Sequence, residues 1–178
     1  MLSVLTSRSD PHLLQSLYQL RHQVFQERMG WDVKSYNGQE RDQFDAANTI
    51  YLACVEGGRV LACVRLLPSL GPNMTRDVFS RLMGLPSIPA AADLWEISRF
   101  AVDTRASQAT NHYVGHMTSL LVSGLQEFAF SQGLTGYIAV IDNRMERILR
   151  RTSADIHHIS DAQILGQAPA FVKLFVEY

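Results

Sequence analysis

Cysteine is scarce in this chain of 178 residues: Cys54 and Cys63 are the only two. No CxxC spacing is present, so a zinc site has no support and no metal is expected. The two fall on successive strands turned at Gly57–Gly58, where a two-residue turn sets Cys54 opposite Leu61 and Cys63 opposite Leu52. Diagonal neighbours are poorly placed for a disulfide, so both read as small buried hydrophobes. Lysine is nearly missing as well. Lys34 and Lys173 apart, the 16 basic residues are arginines, the side chain suited to forked pairing with carboxylates. A net charge of −1 excludes a whole-molecule field that would favour nucleic acid or an anionic membrane. No apolar run is long enough to span a bilayer, and the start MLSVLTSRSD has neither the charged nor the apolar region of a leader, so a cytoplasmic protein is expected.

What is present is ordinary globular material, 47% hydrophobic and 19% charged, enough for one domain over 1–178 without repeats or linkers. Asp10–Pro11 is an N-cap followed by proline at the first helical position, and a helix is predicted from there to about Met29. Leu14, Leu17, Arg21, Val24 and Phe25 share one face of it, so Arg21 interrupts an apolar stripe. Residues 30–47 have no clean period and read as a long functional loop. Strands are predicted over 49–56, 59–67, 94–102, 137–141 and 170–177, with helices near 75–84, over 112–131 and over 143–151. Met117, Leu120, Leu121, Val122, Leu125 and Phe128 are expected to face the core from the second of these helices. The pattern is that of a single α/β (α+β) domain with three α-β-α layers and a mixed, mostly antiparallel central sheet.

Three charges resist explanation by packing. Arg65 stands in LACVRLL, and Glu96 and Arg99 stand in LWEISRFAV. Strict alternation puts Glu96 and Ser98 on one face and Trp95, Ile97 and Arg99 on the other, unless a bulge relaxes it. An unpaired buried charge is too costly to keep, so each needs a partner. Asp42 and Asp45 of RDQFD are candidates, as is Arg21 for Glu96. A structural ion-pair network and a catalytic carboxylate both satisfy the pattern, and composition leaves the two open.

The segments RHQVF…MGW, RDQFD, RLLP and WEISRFAV, in this order and with these gaps, resemble the signature of the LuxI-type autoinducer synthases, the acyl-homoserine-lactone synthases. The resemblance covers about residues 17 to 151 and rests most on WEISRFAV downstream of RDQFD and RLLP. It implies a fold similar to the acetyl-CoA-dependent (GNAT) N-acyltransferases, with the sheet splitting between strands 94–102 and 137–141 to admit a pantetheine arm. It also implies two substrates, an acyl-acyl-carrier-protein and S-adenosylmethionine, with no cofactor. The products would be the acyl-homoserine lactone, methylthioadenosine and free carrier protein.

Carried over residue by residue, the resemblance makes Glu96 the base that deprotonates the α-amine, with Ser98 and Arg99 beside it. Backbone N–H groups near Arg99–Phe100 would serve the oxyanion. Phe25 and Trp31 would fold over S-adenosylmethionine, whose sulfonium suits aromatic faces, although Phe25 on its helical stripe equally reads as core. Arg21, Asp42, Asp45 and Arg65 complete the binding set, contacting charged ends of the ligand or fixing the loop. The basic helix with Arg144, Arg147, Arg150 and Arg151 reads either as a solvated face or as a dock for the acidic carrier protein.

Some positions depart from the family pattern. Ile141 stands where many members have a Thr associated with 3-oxo-acyl donors, which favours an unsubstituted acyl chain. SRFAV is similar to the carrier-protein branch rather than the acyl-CoA branch. Thr152–Ser153 replaces the usual Gly after the basic helix. Two rivals are weighed. A general acyl-CoA-dependent N-acyltransferase would show a Gly-rich pyrophosphate loop where TRASQATNHYVGH stands. A non-catalytic ligand-binding relative would tolerate loss of Glu96 or Trp31, and both are kept.

Overall fold

The structure is a computed structural model that describes residues 1–80, 87–106, 111–152, 155–161, 163–165 and 168–176. The chain divides into two compact units, Met1–Arg65 with Arg99–Gly124, and Leu66–Ser98 with Leu125–Tyr178.

In the first unit β1 (Leu2–Thr6), β4 (Ile50–Glu56), β5 (Arg59–Pro68) and the C-terminal part of β6 (Leu94–Val102) follow one another in the sheet. β1 pairs antiparallel with β4 from Leu2↔Cys54 to Thr6↔Ile50, a strand the sequence patterning had passed over. Helix α1 (Pro11–Arg21) starts as expected, with the Asp10 side chain accepting from the His12 N–H at 2.8 Å. It buries Leu17, Tyr18 and Leu20 against Tyr51, Ala53, Val60, Cys63 and Ala101. The expected helix does extend to Arg28, but His22–Arg28 is wound as a π-helix rather than an α-helix. Residues 30–47 are not pure loop either. Ser35–Tyr36 (β2) and Gln39–Glu40 (β3) form a small antiparallel hairpin around Asn37–Gly38. Both turn residues have positive φ, 49° and 70°, the geometry for which an Asn-Gly pair is selected.

In the second unit the N-terminal part of β6 lies next to β7 (Gly136–Asp142). β7 is paired along its length with β10 (Ala168–Val176), and β10 also carries β8 (Asp155–His158) and β9 (Gln163–Leu165). β8 and β9 were not expected from the sequence, and residue 177, the last of the expected closing strand, lies outside the described set. The expected helix near 75–84 appears as a π-helical turn over Thr75–Phe79, with 81–86 outside the described residues. Helix α2 (Asn111–Gln132) runs through both units, and α3 (Asn143–Leu149) is capped by Asp142, which accepts from the Met145 N–H at 2.7 Å. The sheet is mixed as expected: β6 and β7 are parallel, and every other registered pair is antiparallel.

The β6–β7 ladder is short. It holds for Leu94↔Gly136, Trp95↔Tyr137 and Glu96↔Ile138, then stops, while β7 continues against β10 as far as Asp142. Strand β6 is also broken in its alternation. Arg99 has φ 56°, a left-handed conformation that costs a non-glycine residue about 1–2 kcal/mol and re-aims the side chain. Among the described residues, no helix is long and apolar enough to cross a membrane.

Candidate active site

The first unit contains a closed ring of six alternating charges. Arg21 Nε donates to Glu40 at 2.6 Å, and its two terminal nitrogens grip both oxygens of Asp45 at 2.6 and 2.9 Å. Arg65 bridges Asp45 at 3.1 Å to Asp42 at 2.6 Å. Arg99 bridges Asp42 at 2.9 Å back to Glu40 at 3.1 Å. Three arginines and three carboxylates thus alternate around the ring in equal number, with no formal charge left over. The turn that holds the acids is built locally. The Asp42 amide donates to the Asp45 carboxylate at 2.8 Å, and the Phe44 amide donates to Asp42 at 2.9 Å.

The ring makes its own electrostatics. Burial by itself would raise the Asp45 pKa, but Arg21 and Arg65 more than offset that and hold the carboxyl below the usual range. Burial would likewise weaken the Arg21 cation, and Asp45 and Glu40 reverse it. Burial together with the Asp45 charge pushes the Tyr51 phenol up, so Tyr51 stays a donor to Asp45 at 2.7 Å. Only one edge of the ring reaches the surface. The side chains of Arg21, Glu40, Asp45 and Arg65 are 0% exposed, whereas Asp42 is 10% and Arg99 is 8% exposed.

Beside this edge stand the aromatics. Phe25 and Trp31 are stacked, with ring centroids 5.2 Å apart and planes 17° from parallel, and the Arg99 guanidinium lies 5.5 Å from the Phe25 centroid. The stack is produced by a helix cap. The Trp31 amide reaches back to the Phe25 carbonyl at 2.9 Å, and the Gly30 amide to Gln26 at 3.1 Å, with Gly30 at φ 66°. This is an αL ending, in which the amide of a left-handed glycine bonds the carbonyl four residues back, and the next residue, Trp31, is set against Phe25. Phe25 is therefore core and platform at once, while Trp31 keeps 46% of its surface exposed.

Sequence reasoning had offered Arg21 to Glu96, and the structure corrects this. Arg21 is committed to Glu40 and Asp45. Glu96, in the second unit, accepts the Thr75 amide at 2.5 Å through Oε2, and its Oε1 is buried with no hydrogen-bond partner among the described residues. Glu40 is the functional candidate the sequence did not reveal. Its neighbours in NGQER are polar, so nothing marked it as buried.

The other expected positions are accounted for. Ser98 and Phe100 flank Arg99 on β6 and are half-buried, as is Ile141 on β7 opposite Phe171. Arg144, Arg147, Arg150 and Arg151 are exposed on and after α3. Arg150 is partly spoken for, paired to Glu146 at 2.8 Å and bonded to the Ile156 carbonyl at 3.2 Å. Asn143, Glu146, Arg147 and Arg150 line a cavity of about 420 Å³. Cys54 and Cys63 are free and buried, and burial pushes the Cys63 thiol up to about 12. Among the described residues no cluster could hold a metal ion.

The mixed sheet, with β6 and β7 parallel up to the buried Glu96, has the fold seen in N-acyltransferases. The fold matches an acyl-CoA N-acyltransferase from Pseudomonas aeruginosa with a TM-score of 0.67 over 98% of this chain and 97% of that one, at 17% identity. A closer likeness refines the class. The crystal structure of the AHL synthase LasI superposes with a TM-score of 0.87 over 99% of this chain and 89% of the other, at 26% identity. TofI, solved in a ternary complex with an inhibitor and MTA, gives 0.84 at the same identity over 99% of this chain and 91% of that one. The autoinducer synthase family model matches residues 5–176, and the chain belongs to that family. The acyl-homoserine-lactone synthase of Aliivibrio fischeri is 37% identical over 86% of this chain and 80% of its own length. That of Agrobacterium fabrum is 36% identical over 88% and 75%. The chain is an acyltransferase that makes acyl-homoserine lactone.

Proposed function

We propose that residues 1–178 work as one cytoplasmic synthase domain that joins an acyl group from an acyl-acyl-carrier-protein to S-adenosylmethionine and then closes the lactone. The observation that carries this reading is Glu96. It is fully buried, tied through one oxygen to a backbone amide, and its other oxygen has no hydrogen-bond partner among the described residues. A buried carboxylate with a spare acceptor is costly unless a ligand uses it. The α-amine of S-adenosylmethionine is such a ligand, being protonated at neutral pH and in need of a base.

The steps follow from that. Glu96 Oε1 takes a proton from the ammonium, directly or through water. The amine nitrogen bonds to the thioester carbonyl carbon, and the oxyanion is met by backbone N–H groups near Arg99–Phe100. The C–S bond of the thioester breaks and the carrier thiol leaves with a proton. One carboxylate oxygen of the methionyl part then attacks its own γ-carbon. The bond to the sulfonium sulfur breaks, and neutral methylthioadenosine departs. This second step needs mainly that its two ends be held close.

The exposure pattern divides roles among the binding residues. Asp42 and Arg99, on the open edge of the ring, would meet the charged ends of S-adenosylmethionine, and Phe25 and Trp31 would receive its sulfonium. Arg21, Glu40, Asp45 and Arg65 hold that edge in place. Ile141 offers no hydrogen bond to a 3-oxo group, so a plain acyl chain is favoured, and a dominant 3-oxo product by mass spectrometry would refute this. The exposed arginines Arg144, Arg147 and Arg151 would steer the acidic carrier protein. Replacing Glu96 by Gln tests the central role. Acyl transfer should fall by about 10²–10⁴-fold with S-adenosylmethionine binding kept. A rate near that of the unaltered enzyme would overturn the assignment.

A further inference from the structure

The segment that grips Glu96 is built with unusual care for an irregular stretch. Pro68–Ser80 contains three fully buried polar residues, Ser69, Asn73 and Thr75, each 1–2% exposed. Ser69 fastens it to the approach of β6. Its hydroxyl donates to the Ala91 carbonyl at 2.9 Å and accepts the Ala91 amide at 3.0 Å, while its amide donates to Leu94 at 3.1 Å. Asn73 then folds the chain over. Its side-chain amide donates to the carbonyls of Ser69 at 3.1 Å and Gly71 at 3.0 Å, and its oxygen caps the Arg76 amide at 2.9 Å. The Asp77 carboxylate returns the favour on the Asn73 amide at 3.2 Å. The Thr75 amide is thereby left at the free N-terminus of a helical turn, and Glu96 Oε2 takes it.

We infer that Asn73 and the Thr75 amide are positioning groups for the base: they immobilise Oε2 of Glu96 and so dedicate Oε1 to the substrate amine. This rests on the assignment of Glu96 as base. A carboxylate that merely capped the turn would be served equally well at the surface, where its second oxygen would have water. Here that oxygen is buried and meets no hydrogen-bond partner among the described residues, so the cap fixes one half of the carboxylate and leaves the other half to chemistry. A carboxylate free to rotate would offer its proton-accepting oxygen in several directions, and loss of alignment at a reacting centre shows in turnover rather than in binding.

Thr75→Pro deletes the one N–H in question at a first-turn position where proline is tolerated. It should lower kcat by about tenfold or more while the KM for S-adenosylmethionine stays within about twofold, part of the 10²–10⁴-fold worth of a base. Asn73→Ala should act in the same direction, and Asn73→Ser, which returns an acceptor to the Arg76 amide, should recover most of the loss. Circular dichroism and thermal melting show whether each variant is folded; if Thr75→Pro is not, the Asn73 pair carries the test. Glu96→Gln is run alongside. If Glu96→Gln is inactive and the folded variants keep kcat, or if kcat and KM worsen together, the positioning inference is wrong. If Glu96→Gln is itself fully active, the assignment beneath it is wrong.

Discussion

At the scale of single residues, the ring of charges has unequal members. Glu40 is fully buried and serves both Arg21 and Arg99, so removing its charge leaves two guanidinium groups underpaired in a dry setting. Glu40→Gln should lower the unfolding free energy by about 3–5 kcal/mol, the cost of breaking a buried ion pair from one side. Urea denaturation reads this directly, and a loss below about 1 kcal/mol would mean the ring is not a cooperative unit. Arg65 and Asp42 were legible as partners because Arg65 sits between apolar neighbours in LACVRLL and RDQFD offers acids nearby. Glu40 was not legible, because burial here is produced by the hairpin around Asn37–Gly38 and not by an apolar run. Cys63 illustrates the reverse case. Its buried thiol, with a pKa pushed up to about 12, should resist maleimide at pH 8 in the native protein and react only once unfolded.

At the scale of elements, two short devices place the aromatic platform and its neighbour loop. Gly30 ends the π-helix in a left-handed conformation, and a Cβ there would meet nothing within 4 Å, so the penalty of substitution is conformational alone. Gly30→Ala should cost about 1 kcal/mol of stability and raise the KM for S-adenosylmethionine several-fold, since the Phe25–Trp31 stack depends on that cap. Unchanged KM would separate the stack from ligand binding. The start of the loop after β6 is strapped to the same π-helix. Asp103 accepts from Gln23 and from the amides of Arg105 and Ala106, and Glu27 pairs with Arg105 at 2.6 Å. The hairpin at Gly57–Gly58, the N-cap at Asp10 and the strand WEISRFAV could be read in the sequence because each carries a local signal. The π-helical winding of His22–Arg28, the left-handed Arg99 and the edge strands β1 and β8 could not. Those depend on what the chain packs against, which a single sequence does not display.

At the scale of the whole molecule, near-neutral net charge conceals two charge systems that respond oppositely to conditions. The ring is buried, so added salt should screen it little. Acid should undo it. Asp45 has a folded pKa below its ordinary value, so its contribution to stability is fully present above that ordinary value, about 4, and is lost progressively as pH falls from there through the lower folded value. Thermal midpoints should therefore hold from neutral pH down to about 5 and fall steeply below 4. The exposed arginines of α3 behave the other way. Reversing Arg144 and Arg147 to Glu should raise the KM for the acyl-carrier protein without altering that for S-adenosylmethionine, and the effect of salt should be on the carrier KM alone. Arg150 is the poorer choice for such a test because it holds Glu146 and Ile156 in place.

The most direct measurement supplies the purified protein with S-adenosylmethionine and octanoyl-carrier protein and follows both products by mass spectrometry. Octanoyl-homoserine lactone and methylthioadenosine should appear in equal amounts, and with Glu96→Gln both should form about 10²–10⁴-fold more slowly. Methylthioadenosine without lactone, or no product from the unaltered protein with either carrier-bound or CoA-bound acyl groups, would contradict a base at Glu96 that acylates this amine.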